Sequence, residues 1–308
     1  MADAAIRGVR APAARRISLK RIARRRSTIA FFLTLPLILL ILLLIVYPGL
    51  YAFHLATLNR SMKHFVGLSN FTFLFHRDTF WMVVKQSVIF ACTAVFFKTL
   101  IGIFLANFVH TIPEKGQRKW RGMLMVSWVI PTAISSITWF WLFDPSYSAF
   151  NWILRQLHLS DVNWLGSPNW ARFSVILVNV WYGAPFFLIM YLAALKSVPE
   201  QLYEAAAIDG ANWWQKIWYV TLPMMRNIIS ITVLFSLIVT FANFDIVRIL
   251  TSGGPIDQTH IFATWAFKLG IEGNDIPLGA SVSLFMFPIL AIAAYFILRD
   301  INRRGNEA

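Results

Sequence analysis

The sequence predicts an all-α polytopic membrane protein with six transmembrane helices, and three observations carry that expectation. Hydrophobic residues make up 58% of the 308-residue chain and the mean hydropathy is +0.62, which is too apolar for a soluble domain. Several apolar runs exceed the ~20 residues needed to cross a bilayer core. The Lys and Arg residues between the expected spans divide unevenly, nineteen on one side and six on the other. The positive-inside bias then places both termini in the cytoplasm.

Each element follows in order. Residues 1–28 form a basic tail containing Arg7, Arg10, Arg15, Arg16, Lys20, Arg21, Arg24, Arg25 and Arg26. With this placement, the net charge of +14 reads as contact with anionic membrane lipids rather than nucleic acid. The first span, 29–53, is too long for a signal-peptide core and lacks a small-x-small cleavage site, so it is expected to be retained. It contains Pro36 and is expected to close near Tyr47-Pro48. Further spans are expected at 82–109, 123–143, 172–195, 227–250 and 278–298. The third contains Pro131 and ends in the aromatic belt Trp139-Phe140-Trp141, and the fourth reads as interrupted by Gly183 and Pro185. Outer segments fall at 54–81, 144–171 and 251–277, the last opening with the turn Ser252-Gly253-Gly254-Pro255. Residues 299–308 form a cytoplasmic tail.

Single residues carry further expectations. Cys92 lies in an apolar run and reads as a small core residue. The six histidines, His54, His64, His76, His110, His158 and His260, fall in loops or at span ends and read as ordinary interfacial residues. Lys98 lies mid-run in span two, where an isolated charge costs several kcal/mol unless it faces water or a partner; a pore-facing or subunit-interface position is expected. Asp245 and Arg248 lie three apart on one helical face and read as a structural pair.

The stretch 204–223, EAAAIDGANWWQKIWYVTLP, organises the chain. Pro199 stands at a helix-start position, and Glu200 to Ile208 are good helix formers. Gly210 allows the positive φ that ends one helix and turns the chain into the next. Residues 211–221, with Trp213, Trp214, Ile217 and Trp218, read as a second short helix, and Pro223 sits at the mouth of the next apolar run. Two short helices at an angle make a knob for a socket on another protein. A hairpin lying on the membrane surface is the alternative. No G-x-x-x-x-G-K-[ST] occurs, so the chain has no phosphate cradle of its own. No H-E-x-x-H and no paired-cysteine spacing occur either. No catalytic residue, metal or cofactor is expected on this chain, and it is not expected to be an enzyme.

Glu204-Ala205-Ala206, Gly210, Val220 and Leu222-Pro223 stand at the spacing of a loop that resembles the EAA motif of ABC-importer membrane subunits. Asp209-Gly210-Ala211 resembles its carbohydrate branch. Ile130-Pro131, Phe143-Asp144-Pro145, Asn151, Asn179-x-Trp181 with Pro185, and Leu250-Thr251-x-Gly253-Gly254-Pro255 extend the likeness over residues 29–298. The chain resembles a carbohydrate-type permease subunit of the maltose-importer kind. Two departures stand out: the large inserted periplasmic domain of the maltose protein is absent, and Ser148 or a neighbour replaces a usual glycine before Asn151.

The resemblance implies a type I ABC importer permease fold in a bacterial inner membrane. The partners it implies are a second permease subunit, two ABC ATPase subunits that hold ATP and Mg, and an extracytoplasmic solute-binding protein. Within the coupling loop, 196–226, it assigns ATPase contact to Glu204, close packing to Ala205 and Ala206, and the turn to Gly210, with Asp209, Leu222 and Pro223 completing the motif. It places solute contacts at Tyr182, Gly183 and Phe186 in span four and at Ser236, Thr240 and Asn243 in span five. A sugar offers hydroxyls to polar side chains and a C–H face to an aromatic ring. Against this stands the reading that Ser and Thr bond their own helix carbonyls and Asn243 joins two helices. A non-sugar solute, or a stand-alone secondary transporter with paired ionisable residues at mid-membrane, are the alternative functions.

Overall fold

The computed structural model describes residues 26–305, so the basic tail before Arg26 lies outside the described residues. Among these residues the regular structure is helical, apart from an isolated bridge between Leu58 and Phe65. The chain divides into two units, Met1–Tyr51 and Ala52–Ala308.

α1 (Arg26–Ile41) passes through a π-turn at Leu42–Val46 into α2 (Tyr47–Ala56), of which the residues from Ala52 on belong to the second unit. The expected close at Tyr47-Pro48 does not occur, because the helix runs on to Ala56. The Tyr47 N–H reaches back to the Leu42 carbonyl, and this wider turn accommodates Pro48, which has no N–H to give. The side chains of this helix are almost all exposed, as an apolar span facing lipid or another subunit would be.

In the second unit, α3 (Ser69–Phe75) precedes the long α4 (Asp78–Thr111). The buried residues of α4, Val83, Gln86, Ser87, Phe90, Ala91, Ala94, Val95, Lys98, Gly102, Ala106 and Val109, recur at helical spacing and form its inner face. Cys92 falls off that stripe and is exposed, which corrects its reading as a core residue. The expected inner loop after span two is largely an amphipathic helix, α5 (Glu114–Leu124). The third span is broken into α6 (Val126–Val129) and α7 (Thr132–Leu142). Pro131 ends the one and leads the other, since the residue before a proline avoids helical dihedrals; Ile130 is extended, with φ −68 and ψ 132.

After α8 (Ala149–Gln156), α9 (Pro168–Lys196) crosses as one helix. Gly183 and Pro185 do not interrupt it. Its centre is the most buried of the spans, and packing outweighs the ~3 kcal/mol that an interior proline costs. α9 packs against α4 along its length, so closely at Gly102 that a methyl group there would collide with Phe187. Val95, Ala106, Val109, Phe187, Leu188, Tyr191 and Leu192 form this core. α10 (Glu200–Ile208) and α11 (Trp213–Lys216) follow. A π-turn at Ile217–Thr221 then leads directly into α12 (Leu222–Phe241). The expected second short helix is thus the first part of span five.

α13 (Phe244–Leu250), α14 (Phe262–Phe267), α15 (Ile276–Leu284) and α16 (Met286–Gly305) complete the chain. Five of the helical runs are long and apolar enough to cross a membrane by themselves. The broken third span accounts for the remaining crossing of the expected six.

Candidate functional site

Two groups of residues stand out, a bare helix between spans four and five and a polar face inside the bundle. The bare helix is α10, in which no residue is buried. Glu204, Ala205 and Asp209 are exposed, Ala206 is half-buried, and Ile208 is 88% exposed. A folded chain has no reason of its own to leave a nine-residue helix unpacked, because isolated helices this short are marginal in water.

The geometry around α10 is nonetheless firmly set. Gly210 adopts φ +76. The Gly210 N–H donates to Ala207 O at 3.1 Å and the Ala211 N–H to Ala206 O at 2.9 Å. This is the paired bonding of a Schellman cap, which requires a left-handed residue at the turn. The chain restarts at once: Asn212 Oδ1 accepts from the Gln215 N–H at 2.9 Å, and the Asn212 N–H donates to Gln215 Oε1 at 2.7 Å. That reciprocal capping box fixes the start of span five. The Tyr203 and Thr221 hydroxyls meet at 3.0 Å, tying α10 to the π-turn below Leu222 and Pro223. Trp213, Trp214 and Trp218 are exposed, whereas Ile217 is buried.

Inside the bundle, the structure brings part of the predicted solute face together. Thr240 and Ser236 are buried on α12. Thr240 Oγ1 accepts a hydrogen bond from Lys98 Nζ on α4 at 3.0 Å. Gly183 on α9 lies against the same lysine, and a Cβ there would stand 2.7 Å from Lys98 Cε. Three helices therefore meet at Lys98. The Phe186 ring lies 5.3 Å from Phe235 and 6.1 Å from Trp128, and Tyr182 is half-buried. Lys98 was identifiable in the sequence as an intramembrane charge, but nothing in its neighbours linked it to Thr240 and Gly183.

Thr240 departs from the usual return of a helical hydroxyl to its own helix carbonyl. Thr99 and Thr232 do return their hydroxyls to the carbonyls four residues back. Thr240 instead receives Lys98. Asn243, expected in span five with Ser236 and Thr240, is not on the same continuous helix as they are. α12 ends at Phe241, and Asn243, with φ −72 and ψ 91, is the N-cap of α13, its Oδ1 accepting from the Ile246 N–H at 3.3 Å. A polar break in an apolar span exposes backbone and side-chain groups where a solute would use them.

The outer end differs from expectation at two points. Arg248 pairs with Glu272 at 2.5 Å and lies over the Phe267 ring at 5.0 Å, rather than pairing with Asp245. The segment 262–272 folds back over α13 and supplies a nearer partner. His260 is buried, 1% exposed, not interfacial. Gly253, with φ +87, brings its backbone flush against the imidazole. Nδ1 meets Thr264 Oγ1 at 3.0 Å and Nε2 lies 3.4 Å from the Asp257 carboxylate. Burial first, and the Lys268 charge second, push its pKa down to about 4. Nearby, Asn151 is a buried hub: its Oδ1 accepts from the Val162 N–H and from Trp164 Nε1, and its Nδ2 donates to the Val162 carbonyl. Ser148 caps α8 at the position where the resemblance expected glycine.

A bundle of apolar helices with a polar break in span five and an unpacked helix between two spans is a transport-type membrane subunit, made to be joined by other chains. The chain belongs to the family of binding-protein-dependent transport system inner membrane components, whose model matches residues 98–304. It is 32% identical over 284 residues to a trehalose/maltose transport system permease protein of Thermococcus litoralis, covering 91% of this chain and 95% of that one. It is 28% identical over 281 residues to a sulfoquinovosyl glycerol transport system permease protein of Agrobacterium fabrum, covering 90% and 91%. Among solved structures, a chain of a bacterial ABC transporter that imports the acidic polysaccharide alginate superposes with a TM-score of 0.80 at 24% identity, covering 92% of this chain and 98% of that one. The fold is that of an ABC importer permease, and the chain is a multi-pass membrane protein.

Proposed function

We propose that this chain is one permease subunit of a binding-protein-dependent importer for a sugar or a related polyol or oligosaccharide. It forms the path with a second permease. Two separate ATPase subunits drive it, and they hold the ATP and Mg; this chain hydrolyses nothing. An extracytoplasmic solute-binding protein delivers the solute, as a periplasmic protein does in the alginate transporter complex that shares this fold. The observation that carries the reading is the bare α10 with its fixed turn, a docking element held ready on an otherwise packed chain. The carbohydrate names of the relatives support the solute class.

In this reading Glu204 meets the ATPase, Ala205 and Ala206 let it approach closely, and Asp209 and Gly210 shape the turn. Leu222 and Pro223 pass the motion to span five. Tyr182, Gly183, Phe186, Ser236, Thr240 and Asn243 line the solute site. Both termini are cytoplasmic, on the charge distribution of the loops. A cysteine placed at Ser160 is then labelled from outside and one at Lys119 is not, and the reverse pattern overturns the orientation. Co-purification of the tagged chain followed by mass spectrometry tests the assembly: an ABC ATPase and a second permease are expected in stoichiometric amount. Recovery of the chain as a homo-oligomer without an ATPase contradicts it.

A further inference from the structure

We propose that Lys98 is a positioning residue of the solute site: its side-chain amine donates to the Thr240 hydroxyl, so that Thr240 turns its own proton toward the solute. The inference rests on the solute-site reading above and extends it to a third helix.

Lys98 is 4% exposed and lies mid-span in α4. Removing an amine from water at that depth is costly unless it is hydrogen-bonded. Its bonding partner among the described residues is Thr240 Oγ1 at 3.0 Å, and no carboxylate there pairs with it. The lysine stem is held in place by Gly183, where even a methyl group would stand 2.7 Å from Cε and 2.9 Å from Cδ. Glycine at 183 is thus the space through which the lysine reaches α12.

A threonine hydroxyl has one proton and two lone pairs. In a helix the proton ordinarily goes to the carbonyl four residues back, as it does at Thr99, Thr232 and Thr251. At Thr240 one lone pair is taken by Lys98, and no return to the Ser236 carbonyl accompanies it. The hydroxyl is fixed from behind and its proton is left to donate. A sugar hydroxyl or ring oxygen, which accepts hydrogen bonds, is the kind of group it suits. Ser236, one turn back on the same helix, likewise makes no carbonyl bond among the described residues and adds a second hydroxyl to the same face.

The test is transport by the assembled importer in proteoliposomes, with maltose, trehalose and galactobiose as probes. It is read as solute moved per ATP hydrolysed. Damage to the fold lowers both terms, whereas damage to the solute site lowers the ratio. Lys98→Met, which keeps the length and loses the donor, is expected to lower the ratio about tenfold, the worth of one buried hydrogen bond. Thr240→Val is expected to lower it by a similar factor, and the double variant no further, because both remove one interaction. Lys98→Gln, which keeps an N–H, should stay within about threefold of wild type. Gly183→Ala, which pushes the lysine aside, should reproduce Lys98→Met and serves where that variant does not insert. A wild-type ratio in Lys98→Met or in Gly183→Ala overturns the inference. So does a double variant about a hundredfold down, which would make the two residues independent. If the wild-type importer moves none of the three probes, the sugar reading fails and takes this inference with it.

Discussion

At the scale of single residues, the polar groups inside the bundle are the ones that hydropathy treats as errors in an apolar pattern. Asn243 is the clearest case. It ends one helix and caps the next, and its amide N–H group makes no hydrogen bond among the described residues. Asn243→Ala and Tyr182→Ala are each expected to cut uptake by about tenfold, one lost hydrogen bond to solute, while binding-protein-stimulated ATP hydrolysis continues. Unchanged uptake in the double variant would move the pocket elsewhere.

His260 makes a different prediction. Its folded pKa of about 4 lies below the ordinary 6.5, so between those values the unfolded chain takes up a proton that the folded chain refuses. Its contribution is therefore complete above about pH 6.5 and is lost as pH falls toward 4, on the order of 3 kcal/mol across the window. The groups facing it are Lys268, Asp257, Glu272 and Arg248. Thermal unfolding of the purified protein should show a midpoint that falls between pH 7 and 5, and His260→Asn should flatten that dependence. An equally steep fall in the variant would assign it to other groups. Sequence reasoning placed His260 at an interface because a loop histidine ordinarily is exposed; only the fold-back of 262–272 buries it.

At the scale of elements, what was legible depended on whether local chemistry decided the conformation. The turn after α10 was legible because its positive φ calls for Gly210; the cap at Asn212, which starts span five, was not read. A positive φ is a short-range requirement written in the residue type. Most span boundaries were also close, since apolar length sets them; span five, expected at 227–250, instead runs over Trp213–Phe241. Continuity was not legible: α9 runs through Pro185 because its neighbours hold it, and α2 runs past Pro48 because a π-turn precedes it. The break at Asn243 inside an apparently uniform span is likewise a tertiary outcome. The loop's rigidity gives the element-scale prediction. Gly210→Val forces a β-branched residue to φ +76, at a cost of about 1–2 kcal/mol. Because α10 is held by few other contacts, this should tilt or fray it. Uptake should fail while membrane insertion persists, and Glu204→Lys should fail equally by charge reversal at the docking face. Full transport by both variants would remove the coupling role.

At the scale of the whole molecule, the chain is incomplete by design of its surface. The apolar spans leave large side chains bare along α1, along α4 at Phe96, Phe97 and Phe104, and along α12 at Ile231 and Phe235. Lipid covers such surface, and so does a second permease; neither requires anything of α10, which is amphipathic only weakly and carries Glu200 and Glu204. In the proposed reading a soluble ATPase is the partner that this helix meets. The inside of the bundle, by contrast, offers Lys98, Thr240 and Ser236, and among the described residues no carboxylate pairs with Lys98. In the proposed reading energy enters through α10 and is spent at span five, and the Tyr203–Thr221 contact at 3.0 Å joins the two.

The most direct measurement is uptake into proteoliposomes built from this chain, the second permease, the ATPase and the binding protein. The account predicts sugar accumulation that requires ATP and all four components and that stops with Gly210→Val in this chain. Sugar uptake by this chain alone, driven by a proton or sodium gradient without ATP, would contradict it.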